Sequence, residues 1–172
     1  AASGLSPVAG HAIDLLALSP RADLSAHELL GQPVLLELLT AHSRQDLRPF
    51  HGHVTAMQLL GADGGMARYR LRIEPWLAWL AHGRDSWVFQ DMDVLDITEA
   101  IFADHLGQGS LQPAWRIDVA DRGAFARRSL CTQFNESDLA FLRRLWAEEG
   151  LFCWFEHEGR PGDPSLGQHT LV

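Results

Sequence analysis

The chain contains no lysine; all fourteen of its basic residues are arginine. A Gly-x-x-x-x-Gly-Lys phosphate loop is therefore excluded. The missing lysine reads as a coding preference and points to no function by itself. Positive charge is scarce as well: fourteen basic residues stand against 22 acidic ones, for a net charge of −8. That balance argues against nucleic acid and anionic membrane surfaces as partners. There are two cysteines, Cys131 and Cys153, and no Cys-x-x-Cys pair, which removes a zinc site built on thiolates. Each lies in an apolar strand context, where a thiol behaves as a small hydrophobe; a bridge between them is left open. No apolar run reaches the ~18 residues that a membrane-spanning helix needs. The opening residues, A-A-S-G-L-S-P-V-A-G-H, lack a basic segment followed by an apolar core and do not read as a secretory signal. Residues 1–11 are expected to be a disordered leader. No Gly-x-Ser-x-Gly elbow appears, so a hydrolase nucleophile of that kind has no support. Internal repeats and low-complexity tracts are also missing.

What remains is an ordinary globular composition, 47% hydrophobic and 21% charged over 172 residues. It suits one large domain or two small ones. Short strands dominate the first half. Ala12–Ala17 and Pro33–Leu39 read as strands, with Pro33 confined to the entry of the second. A short helical piece over Leu24–Leu30 separates them, ended by Gly31. Ala41–Arg48 is polar and loop-like. Phe50–Leu60 and Met66–Glu74 read as a hairpin around Gly61-Ala62-Asp63-Gly64-Gly65, where Asp-Gly supplies the positive φ angles of a tight turn. In the second of these strands Arg68, Arg70 and Arg72 alternate with Tyr69, Leu71 and Ile73, which predicts one wet and one buried face. Trp76–Leu80 reads as a helical turn closed by Gly83, and Trp87–Phe89 as a brief apolar patch.

Asp93 is placed to cap a helix over Val94–Leu106, with Ile97, Ile101 and His105 on one stripe. Trp115–Val119 reads as a strand and Asp121–Gly123 as a turn. The most informative stretch is Cys131–Glu158. It reads as a strand, a helix capped by Asn135 or Ser137, a glycine stop at Gly150 and an aromatic strand, Leu151–Phe155. Leu139, Leu142, Leu145 and Trp146 form the helix's apolar stripe. Glu148 and Glu149 sit unfavourably at the negative end of the helix dipole, so an arginine or a partner surface is expected to meet them. Gly159–Gly167 reads as a loop. His169–Val172 looks like the first half of a strand, as though the sequence were part of something longer.

The best metal candidate is His51-x-His53, because imidazoles two apart on a strand point the same way. Spacing marks out no third ligand among His42, Glu37 and Asp46, and a plain polar strand face is the competing reading. His157, between Glu156 and Glu158, gains basicity if those carboxylates face it; otherwise the trio is a solvated strand end. Asp91 and Asp93 are more simply helix flanks.

Several motifs in a fixed order carry a family resemblance. They are Leu29-Leu30-Gly31-Gln32-Pro33, Phe50-His51-Gly52-His53-Val54-Thr55, Tyr69-Arg70-Leu71 with Pro75-Trp76-Leu77, and Phe89-Gln90-Asp91. The strongest is Gln133-Phe134-Asn135-Glu136-Ser137-Asp138-Leu139-Ala140-Phe141, followed by Glu148-Glu149-Gly150-Leu151-Phe152. From about Leu24 to Val172 the chain resembles the N-terminal part of the VgrG family, the valine–glycine-repeat spike proteins of type VI secretion systems. That region is itself similar to the hub protein of contractile phage tails. Two positions depart from the pattern: Trp87 stands where arginine is usual and Phe134 where tyrosine is common.

The resemblance implies an α+β fold, mainly antiparallel and barrel-like β, with two or three packing helices. It divides the chain into a first hub domain over 12–92 and a helix-containing part over 93–172. It implies a structural role without a cofactor or catalytic residues. The motif residues Phe50, His51, Gly52, Gln133, Phe134, Glu136, Ser137, Asp138, Phe141, Glu149 and Gly150 then serve as core and contact surface. The implied partners are two further copies in a homotrimer, the Hcp tube and baseplate proteins. The implied route is assembly in the bacterial cytoplasm followed by export through the secretion apparatus without a signal peptide. The hub of a phage or phage-like particle is the alternative within the same architecture. A metal-dependent hydrolase using His51 and His53 is the alternative from another class.

Overall fold

The computed structural model describes residues 10–41, 47–160 and 163–172. Residues 1–9 of the leader expected over 1–11, the centre of the expected loop at 42–46, with His42 and Asp46, and residues 161–162 lie outside them.

A four-stranded antiparallel sheet forms the first half, in the order β1-β4-β3-β2: β1 Ile13–Ser19, β2 Pro33–Leu39, β3 Leu47–Asp63 and β4 Met66–Glu74. It is curled into a half-barrel. Register shifts at Val54/Ala56 and Leu59/Gly61 bend the long β3, as bulges do. The β3–β4 strands run further than the sequence predicts, so the turn shrinks to Gly64-Gly65, both at positive φ. The alternation in β4 is as predicted: Ala67, Tyr69 and Ile73 are buried and the three arginines exposed. Gly52 is fixed by close approach, since a Cβ there would meet Ile73 Cγ2 at 2.8 Å and the Glu74 carbonyl oxygen at 2.9 Å. A one-turn helix α1, Ala26–Leu29, precedes β2.

After a 3-10 segment over Trp76–Ala81, the second half packs α2, Val94–Asp104, against α3, Asp138–Glu149. Beside them lies a two-stranded ladder of β5, Asp85–Phe89, and β6, Cys131–Glu136. Both helices start as the sequence dictates. Asp93 accepts from the Leu95 and Asp96 amides, and Asp96 reaches back in a capping box, which satisfies orphan donors of the first turn. Ser137, rather than Asn135, caps α3 through the Ala140 amide. Gly150 ends α3 at φ 71°. Trp76, Leu80, Ile97, Phe102, Phe141, Leu142 and Leu145 form the centre of the apolar core. Cys131 and Cys153 are free thiols, and burial pushes the Cys153 thiol up.

Three expectations for the last third are corrected. Residues 151–154 form no strand: Leu151, Cys153 and Phe155 pack toward the core, while Phe152 and Trp154 stack on each other at 5.8 Å on the solvent side. The stretch is therefore one-sided rather than buried on both faces. Trp115–Val119 is not a strand either. It touches β8, Asp163–Leu171, at a single bridge between Trp115 and Leu171. The tail read as a loop is a hairpin, β7, Phe155–Arg160, with β8. The described residues on both sides of 161–162 continue as paired strands. His169 to Leu171 thus belong to a strand that already begins at Asp163.

Candidate functional site

The motif around Gln133 builds a polar knot at the start of α3. Gln133 is fully buried, and its Nε2 donates to Asp138 Oδ1 at 2.8 Å and to the Glu136 carbonyl oxygen at 3.0 Å. The other Asp138 oxygen meets His105 Nε2, from the end of α2, at 2.8 Å. The His105 hydrogen bond, opposed by burial, holds the Asp138 carboxyl below its usual range. Glu136 pairs with Arg144 at 2.8 Å. Phe141 is fully buried and stacks on Phe89. The acidic end of α3 receives the expected arginine: Arg128 reaches Glu148 at 2.8 Å and Glu149 at 2.7 Å. These motif residues therefore tie β6, α2 and α3 into one unit. Phe134 belongs elsewhere, at 78% exposure on β6, and Trp87 of β5 is exposed as well. Both departures from the family pattern thus face solvent, where neither asks for a buried hydrogen bond. Trp146 Nε1 donates to Thr98 Oγ1, itself donating to the Val94 carbonyl oxygen, a pairing across 48 residues that has no local sequence signal.

His51 and His53 do not form a polar strand face; both are buried, at 2% and 0% exposure. They lie where β3 meets the β7–β8 hairpin, and the fold brings three further imidazoles to them: His11, His157 and His169. Phe50, under the Arg48 guanidinium, packs on His11 and His157 at the edge of the group. The hydrogen bonds assign the protons. His169 Nε2 accepts from the Trp76 amide at 2.8 Å, so its proton sits on Nδ1 and is donated to His51 Nδ1 at 2.7 Å. His157 Nδ1 accepts from the His51 amide. Neither nitrogen of His53 has a hydrogen-bond partner among the described residues. Burial holds His51 and His157 down to about 4 and His169 to about 2, and neighbouring imidazoles act the same way.

The cluster does not fit the metal reading. His51 Nδ1 and both His169 nitrogens are engaged with each other and with backbone, and among the described residues no three His, Cys, Asp or Glu side chains are grouped to hold an ion. Glu37 lies on β2 and is not part of the cluster.

A second feature is a surface. On the outer face of the four-stranded sheet Leu16 and Leu18 are 69% and 66% exposed. The register sets them beside Arg70 and Arg68 of β4. Most arginines of the described residues meet a carboxylate, including Arg72 with Asp14 and Glu74. Arg68 and Arg70 meet none. A shallow groove beside them is lined by Leu16, Met57, Gln58 and Arg70. Unpaired arginine beside exposed leucine is the composition of a protein–protein contact. No helix among the described residues is long and apolar enough to cross a membrane.

Comparisons with known proteins agree with the architecture. The family model described as "Phage tail baseplate hub (GPD)" matches residues 6–172. The chain is 34% identical over 148 residues to the type VI secretion system spike protein VgrG1b of Pseudomonas aeruginosa, covering 86% of this chain and 19% of that one. It is 33% identical over 163 residues to VgrG1c of the same organism, covering 94% and 20%. The chain thus spans about a fifth of the length of these curated relatives. Among solved structures it matches the E. coli c3393 protein with a TM-score of 0.70 and 25% identity, covering 93% of this chain and 41% of that one. That protein is described as a type VI secretion component with structural similarity to the T4 tail proteins gp27 and gp5.

Proposed function

This chain belongs to the phage tail baseplate hub (GPD) family, and we propose that it serves as the N-terminal hub region of a type VI secretion spike. In this reading it acts by assembly, without catalysis. Three copies form a ring that seats on the Hcp tube, and the spike continues from the opposite side. The observation that carries the reading is the outer sheet face, where Leu16 and Leu18 flank Arg68 and Arg70 and those two arginines have no carboxylate of their own. In a chain of net charge −8, two guanidinium groups left unpaired beside exposed leucines are suited to an acidic rim on a neighbouring protein. The likeness to spike proteins at about a third identity supports the setting. Export through the secretion apparatus follows from the same likeness.

Light scattering on a longer chain that continues this hub into a spike, as the relatives do, is expected to give a trimer. Immobilised Hcp is expected to capture it. The double substitution R68E/R70E should weaken capture at least tenfold while leaving the melting temperature unchanged. A monomer that ignores Hcp at high concentration overturns the reading. The phage-tail description of the matching family favours a second setting, the baseplate hub of a phage or phage-like particle. Genes for a sheath and capsid beside the coding sequence would select it.

A further inference from the structure

The five-histidine cluster joins parts of the chain that nothing else in its local sequence ties together. His51 and His53 come from β3, His157 from β7, His169 from β8, and His11 precedes β1. Three hydrogen bonds among the described residues each enter an imidazole at a bare ring nitrogen: His157 Nδ1 takes the His51 amide, His169 Nε2 takes the Trp76 amide, and His51 Nδ1 takes the His169 ring proton. A proton added at any of these nitrogens turns an acceptor into a donor facing a donor. The bond is lost and two N–H groups are left opposed at about the distance of the former bond.

The surroundings offer little to offset such charge. Arg48 of β3 faces His157 and repels a proton there. His11 meets groups that favour its charge, the His51 backbone and, more weakly, Glu74 at the end of β4, which is already engaged by Thr55 and Arg72. The side chain that β2 brings against the hairpin is Leu35, which lies beside Gly159 and Gly167. Phe155 covers His169. The backbone of Ser110 nears His53 outside hydrogen-bond geometry. Packing is close as well, since a Cβ at Gly167 would meet His51 Cδ2 at 2.7 Å. A charged, rehydrating imidazole therefore has no room to turn to a new partner while the strands stay together.

We propose that this joint is an acid-operated latch: protonation of its imidazoles frees the β7–β8 hairpin from the four-stranded sheet while the helical core stays folded. The direction follows from linkage. An exposed histidine takes up a proton near 6.5, whereas His51 and His157 resist until about 4. The latch is thus fully closed above pH 6.5, and its stability is lost as pH falls from there toward 4. At pH 5.5 each such ring should favour the open form about tenfold.

Hydrogen exchange on the 172-residue chain, corrected for the intrinsic pH dependence of exchange, tests this. Between pH 7.5 and 5.5 the amides of β7, β8 and residues 50–54 should lose protection by at least a hundredfold. Those inside α2 and α3 should change less than threefold. His157→Phe, which removes one titrating ring at the cluster's edge, should cut the acid effect on the hairpin about tenfold; if it does not fold, His11→Phe takes its place. His27→Gln, at an exposed position of α1, should leave the effect intact. Unchanged hairpin protection down to pH 5.5, or loss of hairpin and helix protection together, overturns the proposal.

Discussion

Around α2 and α3 several polar groups drawn inward are bonded to one another: Trp146 donates to Thr98, which donates to the Val94 carbonyl oxygen, and Gln133 and His105 both donate to Asp138. Between β3 and the β7–β8 hairpin the interior is made of imidazoles, with Arg48 and Glu74 the charges that act on them. Both regions are dry, yet they differ in what a change of conditions does. The helical core is held by apolar area, which pH does not alter. The histidine joint is held by groups whose hydrogen-bonding character reverses on protonation. One chain thus combines a half held mainly by apolar area with a seam held by imidazoles, and the surface proposed to meet partners lies on the sheet side of that seam.

The comparison is broken most severely from the helical side. Phe141→Ala removes a fully buried ring stacked on Phe89 and is expected to cost about 3–5 kcal/mol in urea unfolding, equally at pH 7.5 and 5.5. Gly52→Ala is next, because its new methyl meets Ile73 and the backbone of Glu74; strain of about 1–3 kcal/mol is expected. Thr98→Val keeps the shape but leaves Trp146 Nε1 without its acceptor, for a loss of about 1–3 kcal/mol by the same measurement. His53→Leu runs the other way. Both its nitrogens are already unpartnered, so stability at pH 7.5 should hold or rise by up to about 1 kcal/mol, with a shallower decline in acid. Arg68→Ala, at an exposed position without an ion pair, should change the unfolding free energy by less than about 0.5 kcal/mol. A loss of stability there larger than its loss of partner binding would place Arg68 in the fold rather than at a contact.

The helices were legible because their signals are local. Asp93, Ser137 and Gly150 announce boundaries within one turn of where they act, and the stripe from Leu139 to Trp146 has the helical period. The β4 alternation was legible for the same reason. The strand expected at Trp115–Val119 fails because apolar alternation says nothing about whether a neighbouring strand is free to pair; there, among the described residues, the backbone bridges to Leu171 at a single point. The tail was misread because Pro161, Gly162 and Pro164 drew the eye to a loop, while the pairing of His157 with His169 has no local signature.

By itself, then, the sequence determined the two long helices and where they start and stop, the alternation of β4 and the order of motifs that marks a tail hub. These depend on contacts between near neighbours, which composition and spacing encode directly. The tertiary structure alone decided that His51 lies 2.7 Å from His169, 118 residues away, and that Arg68 and Arg70 find no carboxylate. Which rings share a seam, and which charges go unanswered, is set by how distant strands are brought together. A lone histidine or arginine on a strand carries no mark of that until the chain has folded.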